Sequence, residues 1–254
     1  MEKDIYLVYD GTFNGFLTAV YIAFDKQIDV RGIICKEFQQ NLLFSDSQII
    51  ITNIEYAKKV WYGVHKINPI AMKTIYFAFL SEAADMPLIL YNYIRKIVLK
   101  KNDRTNFPEG SVYKIYHLAE LVEKKKRRIE SSLKLQASKD GVLYGVLQAE
   151  YNILPLLTKF YRSTFKEKNW LLYDSERNYG LYYHQKGVQL VSFHKKDLGI
   201  SNYSSFNLQT DNTQKLKWDS FFKNEDINAL VSGQYQTHAL NPSQLTYEHG
   251  REAV

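Results

Sequence analysis

The sequence predicts an α+β protein, with a mostly helical N-terminal half after short strands and an antiparallel hairpin and meander sheet with packed helices in the C-terminal half. Three observations lead there. Apolar residues make up 45% of the chain, with 20 Tyr and 14 Phe, so 254 residues can bury a sizeable core. Between residues 54 and 131 the apolar positions recur at helical spacing. After residue 133, β-prone runs alternate with short turn signals.

Residues Ile5–Tyr9 are apolar and β-prone and read as the first strand. Asp10-Gly11-Thr12 is a turn, after which Phe13, Phe16, Leu17, Val20, Tyr21 and Phe24 predict a helix over Phe13–Asp25. Strands follow over Val30–Cys35 and over 47–52, the latter containing three consecutive isoleucines. Asn53 caps a helix with Ile54, Ala57, Val60, Trp61 and Val64 on one face. Asn68-Pro69 opens a helix to about Ser81, by a cap and a first-turn proline. Asp85 and Pro87 open the next, with Met86, Leu90, Tyr93, Ile94 and Ile97 as its buried stripe. Residues 100–110 form a polar loop, the expected boundary between a 1–110 and a 111–227 subdomain.

A long helix starts at Ser111, turns Ile115, Leu118, Ala119 and Val122 inward, and ends near Ser131. Strands over 133–137 and 142–147 flank Ser138-Lys139-Asp140-Gly141, a hairpin signal. Asn152 is the expected cap of a helix through Ile153, Leu156, Leu157 and Phe160, with Pro155 in its first turn. Strands over 170–173, 179–183 and 188–193 form the meander; Trp170 and Tyr173 belong to the core, and Tyr182 and Tyr183 point to opposite faces. Residues 199–213 are loop-like, 214–223 a short helix, and 228–254 a C-terminal tail of loop or disorder. No repeated βαβ unit is evident, which argues against a doubly wound sheet.

The net charge of +6 permits a phosphate-bearing or acidic partner without demanding one. With Cys35 the sole cysteine, neither an intrachain disulfide nor a multi-cysteine metal site can form. The six histidines (His65, His117, His184, His194, His238, His249) show no metal-ligand spacing, and P-loop, dinucleotide and nucleophile-elbow motifs are absent, so no metal or cofactor is expected. No signal peptide is evident, nor any apolar run near the roughly 20 residues of a membrane helix, so a soluble cytoplasmic chain with no membrane partner is expected.

The strongest charge run is Lys124, Lys125, Lys126, Arg127 and Arg128, which can contact several phosphates or form a solvated helix end. Lys134 would extend it. Asp174 and Arg177 share a turn, where they can pair with each other or let Arg177 meet a phosphate. Asp10 at a strand end is the first catalytic carboxylate candidate and Asp174 the second, with Glu82 behind them. As a helix cap, Asp10-Gly11-Thr12 also has a purely structural explanation.

Several segments carry a resemblance. These are Tyr9-Asp10-Gly11-Thr12-Phe13 with Gly15-Phe16-Leu17, Ala57-Lys58-Lys59-Val60-Trp61 with Gly63 and His65, and Phe79-Leu80-Ser81-Glu82. Further along come Arg128 and Glu130, Tyr151-Asn152-Ile153-Leu154-Pro155-Leu156, and Trp170-Leu171-Leu172-Tyr173-Asp174 with Arg177 and Tyr179-Gly180. In their order, from about residue 5 to 227, they resemble the bacterial DUF4130 family. The resemblance implies DNA repair or modification beside a radical-SAM repair protein, with relatives fused to a uracil-DNA glycosylase-like domain. The chain departs from the family pattern at Lys159-Phe160, in place of His-Phe with a following Arg (near Ser163 here, with Arg162 one place off), and at Gln148-Ala149, in place of Glu-Pro. It departs again at Leu230 and Ser232, in place of Arg-x-Asn, and at Pro242, Ser243 and Gln244. The expected function is a DNA-binding accessory module working with a separate enzyme, with DNA held by residues 124–128, Lys134 and Arg177. The alternatives are a DNA-processing enzyme using Asp10, Glu82 or Asp174, and a protein–protein scaffold.

Overall fold

The computed structural model describes residues 5–38, 46–99, 110–138, 141–184 and 187–192, and the statements below concern those residues. The elements expected over 199–223 and the tail lie outside them. Two compact units divide within the long helix, one running through Glu120 and the other beginning at Leu121. The expected boundary at 110 falls just before that helix begins.

In the first unit, β1 (Ile5–Tyr9) lies between β2 (Val30–Cys35) and β3 (Ser47–Ile49), and both neighbours run parallel to it. A strand covered on both faces needs an unbroken apolar run, and Leu7, Val8 and Tyr9 are buried accordingly. Helix α1 (Phe13–Asp25) is the crossover from β1 to β2. Thr12 caps it, its hydroxyl accepting from the Gly15 amide at 2.9 Å. Phe13 sits at the centre of an aromatic cluster, with ring centroids 4.9 Å from Tyr76, 5.0 Å from Phe79 and 5.9 Å from Trp61. Helices α2 (Ile54–Ile67) and α3 (Pro69–Phe79) start at the predicted caps: Asn53 accepts from the Glu55 and Tyr56 amides, Asn68 from that of Ala71. Helix α4 (Met86–Leu99) packs on β2, with Val98 rather than Ile97 ending its buried stripe. β3 ends three residues before the predicted Thr52, whose side chain has another task described below.

Helix α5 (Ser111–Ser132) buries Ile115, Ala119 and Val122. In the second unit, β4 (Gln136–Ala137), β5 (Leu143–Leu147), β6 (Trp170–Asp174), β7 (Tyr179–His184) and β8 (Gly187–Ser192) form one sheet in chain order. The β4–β5 hairpin and the β6–β7–β8 meander are antiparallel, as predicted. The β5–β6 pair is parallel, because α6 (Leu154–Thr164) carries the chain back across the sheet. The molecule therefore holds two βαβ units, β1–α1–β2 and β5–α6–β6, where the sequence suggested none that repeats. Among the described residues each occurs once per unit, so it leaves no periodic pattern. The α+β class stands.

Helix α6 presents Leu154, Leu157, Thr158 and Tyr161 inward. Tyr161 meets Trp170 at 6.0 Å, and Trp170 stacks on its cross-strand partner Tyr183 at 5.2 Å. Tyr182 points the other way, toward the buried Leu171, Tyr173 and Val191. Asn152 is not the α6 cap. Ile153 takes that position without a side-chain bond, and Asn152 accepts from the Tyr179 hydroxyl instead.

Gly15 generates the first prediction. A Cβ there would fall on Oδ1 of Asp10 and 2.9 Å from Oγ1 of Thr52. Gly15→Ala will therefore destabilise the protein by about 1–3 kcal/mol through overpacking, reversing the roughly 0.8–1 kcal/mol gain usual for Gly→Ala in a helix. Chemical denaturation of both proteins reads the sign; a more stable variant contradicts this packing.

Candidate functional site

Asp10 leaves the C-terminal end of β1 and enters a turn in which Gly11 takes a φ of +81°, with the Cys35 sulfur pressed against its Cα face. Its Oδ1 accepts from the Thr12 amide (3.0 Å) and the Thr12 hydroxyl (2.6 Å), while Oδ2 accepts from Thr52 at 2.9 Å. Thr52 follows β3, so this carboxylate ties together the two loops leaving neighbouring parallel strands. That edge is where open α/β sheets commonly place ligands. Here the carboxylate is occupied by the protein's own donors. The neighbouring Tyr9 hydroxyl is raised above the ordinary tyrosine range, by burial first and then by the negative charge of Cys35, Asp10 and Glu82. Glu82 stands exposed in a left-handed conformation, φ 56°, just past α3.

Asp174, at the C-terminal end of β6, is fully buried. One oxygen accepts from the backbone amides of Glu176 (3.0 Å) and Arg177 (3.4 Å), the other from the Arg177 guanidinium at 3.1 Å. Arg177 also donates to the carbonyls of Ala149 (2.8 Å) and Glu150 (2.9 Å). The pair therefore fastens the β6–β7 turn to the segment leading into α6. Gln148 bonds Glu176, and Tyr179 bonds Asn152 at 2.5 Å, alongside the same seam. Burial raises the Asp174 pKa, against the opposing pull of Arg177 and the backbone amides. This is the structural alternative foreseen for the turn, with the Arg177 donors directed inward.

The charge run occupies the last three turns of α5. At 100° per residue its five cations spread around the helix. Lys124, Arg127 and Arg128 are exposed and share one face; Lys125 and Lys126 are half-buried on others. Lys126 pairs with Glu130 (2.9 Å) and Arg127 with Glu123 (3.0 Å), each at i,i+4 spacing. Such pairs contribute only about 0.3–0.5 kcal/mol, so a phosphate can displace Glu123 from the well-exposed Arg127. Lys134 is exposed just beyond the helix.

The structure therefore joins Asp174 to Arg177 and aligns three of the five α5 cations, while Asp10 and Asp174 fall in different compact units. Among the described residues, no group of three or more His, Cys, Asp or Glu is placed to hold a metal ion. Likewise, no described helix is long and apolar enough to cross a membrane. Sequence reasoning missed Thr52 as the partner of Asp10, and it treated Lys159 and Arg162 only as departures from a family pattern. Both are exposed on the outer face of α6. The inward spacing of Leu154, Leu157 and Tyr161 could have revealed them.

Fold and site together define an α+β protein with two parallel crossovers, two self-satisfied buried-edge carboxylates and an exposed cationic helix face. The family profile of DUF4130, a domain of unknown function, matches residues 84–241, and the chain belongs to that family. The matched span begins beyond the resembling segments at 9–17, 57–65 and 79–82. No curated protein matches the chain.

Asp174 and Arg177 carry the second and third predictions. Arg177→Met leaves a buried carboxylate without its cation and will cost toward the low end of roughly 3–5 kcal/mol. Asp174→Asn keeps an acceptor for the turn amides and will cost less. Denaturation midpoints give the order; equal or reversed losses contradict the pairing. The pH dependence has a defined sign. Because the folded-state pKa lies above the ordinary aspartate range, Asp174 contributes stability below that range and loses the contribution as pH rises through the folded pKa. Lowering pH from 7 toward 4 will therefore improve wild type relative to Asp174→Asn; a widening deficit contradicts the shift.

Proposed function

We propose that the protein is a DNA-binding accessory module acting with a separate DNA repair or modification enzyme. The observation that carries this reading is the exposed α5 face with Lys124, Arg127 and Arg128 side by side, continued in sequence by exposed Lys134. Cations so placed exchange condensed counterions for contacts with a phosphate backbone, giving affinity without base recognition. The net charge of +6 adds a favourable long-range field. A radical-SAM repair protein, implied by the resemblance, is the proposed partner.

The accessory reading is favoured over an independent enzyme by the state of the two carboxylates. A general acid or base needs a free reach to substrate. Asp10 and Asp174 each accept three bonds from the surrounding loops, with Asp174 fully buried. Arg177, bound to two carbonyls and a carboxylate, leaves the proposed phosphate-contact set.

Anisotropy titrations with labelled single- and double-stranded oligonucleotides over 50–200 mM salt test the proposal. Wild type should bind with a steep negative salt slope, and Lys124→Gln/Arg127→Gln/Arg128→Gln should flatten it by about 2–3, from 0.7–0.9 per lost phosphate contact. An unchanged slope removes the α5 face from the interface.

A further inference from the structure

We propose that a second DNA-backbone surface exists on the outer side of the layer covering the five-stranded sheet, formed by Lys134, Lys159, Arg162 and Lys166. This rests on the DNA-binding reading above, shares Lys134 with it, and adds Lys159, Arg162 and Lys166, which that reading does not use.

The placement follows from packing. On α6 the inward set is Leu154, Leu157, Thr158 and Tyr161, which turns Lys159 and Arg162 outward; both are exposed. They stand three residues apart, about 4.5 Å along the helix axis. Lys166 follows just past the helix end and is exposed as well. Beside α6, the segment leaving α5 crosses β5: Leu133 and Leu135 both lie over Gly145, where a Cβ would come within 2.7 Å of Leu135. With both of its neighbours turned toward Gly145, Lys134 between them faces away from the sheet. It is exposed. The Tyr161 hydroxyl reaches the Leu133 carbonyl at 3.5 Å, which places this segment against α6. Burial and the nearby Glu130 push that hydroxyl up to about 12, so it remains a neutral donor there.

The Arg162 side chain and the Lys166 backbone are held in place. The Arg162 guanidinium lies over the Tyr183 ring, 6.0 Å from its centroid, and Tyr183 is backed by Trp170. A guanidinium above a ring keeps its N–H donors in its own plane, available to a phosphate. The Tyr183 hydroxyl also donates to the Lys166 carbonyl at 3.3 Å, so one tyrosine positions two cation-bearing residues. Ordering the Arg162 guanidinium in the free protein reduces the entropy lost on binding. The hydroxyls of Ser163 and Thr164, on the same exposed side, bond back to the Phe160 carbonyl and add no charge. Glu167 is the exposed acid next to Lys166 in sequence, and Glu130 is taken up by Lys126. The helix dipole alone would account for cations at the α6 C-terminus. It does not account for Lys134, or for Lys159 in mid-helix.

The test uses the full-length protein, labelled single- and double-stranded oligonucleotides, and the same 50–200 mM salt range. Lys134→Gln/Lys159→Gln/Lys166→Gln should keep the wild-type unfolding midpoint and flatten the salt slope by about 2. The charge-conserving Lys134→Arg/Lys159→Arg/Lys166→Arg should retain the wild-type slope. If the glutamine variant keeps the full slope while wild type binds, this second surface is overturned and the α5 reading stands without Lys134. If wild type binds neither oligonucleotide at 50 mM salt, the DNA-binding reading falls and takes the second surface with it.

Discussion

The second unit depends on a buried ion pair that links two loops. Arg177 ties the β6–β7 turn to the carbonyls of Ala149 and Glu150, and Asp174 holds the guanidinium and the turn amides in place. Those residues lead straight into α6. Neither charge would be tolerated in the interior alone, since burying an unpaired ion costs several kcal/mol. Their mutual bonding, with backbone groups filling the remaining positions, makes the burial tolerable and the geometry specific. Because α6 starts from this fixed seam, its inward stripe meets Trp170 and its outward stripe of cations has one orientation.

The first unit has a lighter version of the same device. Asp10 gathers Thr12 from its own turn and Thr52 from the loop after β3, and Gly15 leaves the room for it. In both units a carboxylate ends a strand of a parallel pair, at the edge where such sheets often hold ligands. In both, the protein's own loops occupy it. Position in the fold alone would make these carboxylates catalytic candidates; their hydrogen bonds give them a structural account. The cations exposed on α5 and α6 are the groups on which the proposed polyanion contact rests.

Much of this was legible in the sequence because it is local. Asn53 and Asn68-Pro69 announce their helices by cap chemistry, Ser138 to Gly141 announces a hairpin, and the stripe from Met86 to Ile94 announces α4. The errors came where distant contacts decide. Asn152 has the chemistry of a cap, but Tyr179, from another strand, takes its oxygen. The parallel pairing of β5 with β6 depends on where α6 returns the chain, which no short window encodes. The run from Lys124 to Arg128 looked like one patch because sequence is linear; helical geometry divides it and brings Glu123 and Glu130 alongside. For Lys159 and Arg162 the opposite holds. They are unremarkable as single letters, and only the burial of Tyr161 and the position of Tyr183 give them a common direction.

The proposed function puts polyanion contact on the outward cations of the second unit and not on the loop edge around Asp10. Amide hydrogen exchange of the full-length protein, with and without a saturating oligonucleotide, locates the contact directly. The account predicts slower exchange over residues 124–134 and 159–166, with residues 10–15 and 52–55 unchanged. Slowing confined to the Asp10 and Thr52 loops, with 124–134 and 159–166 unaffected, would contradict it.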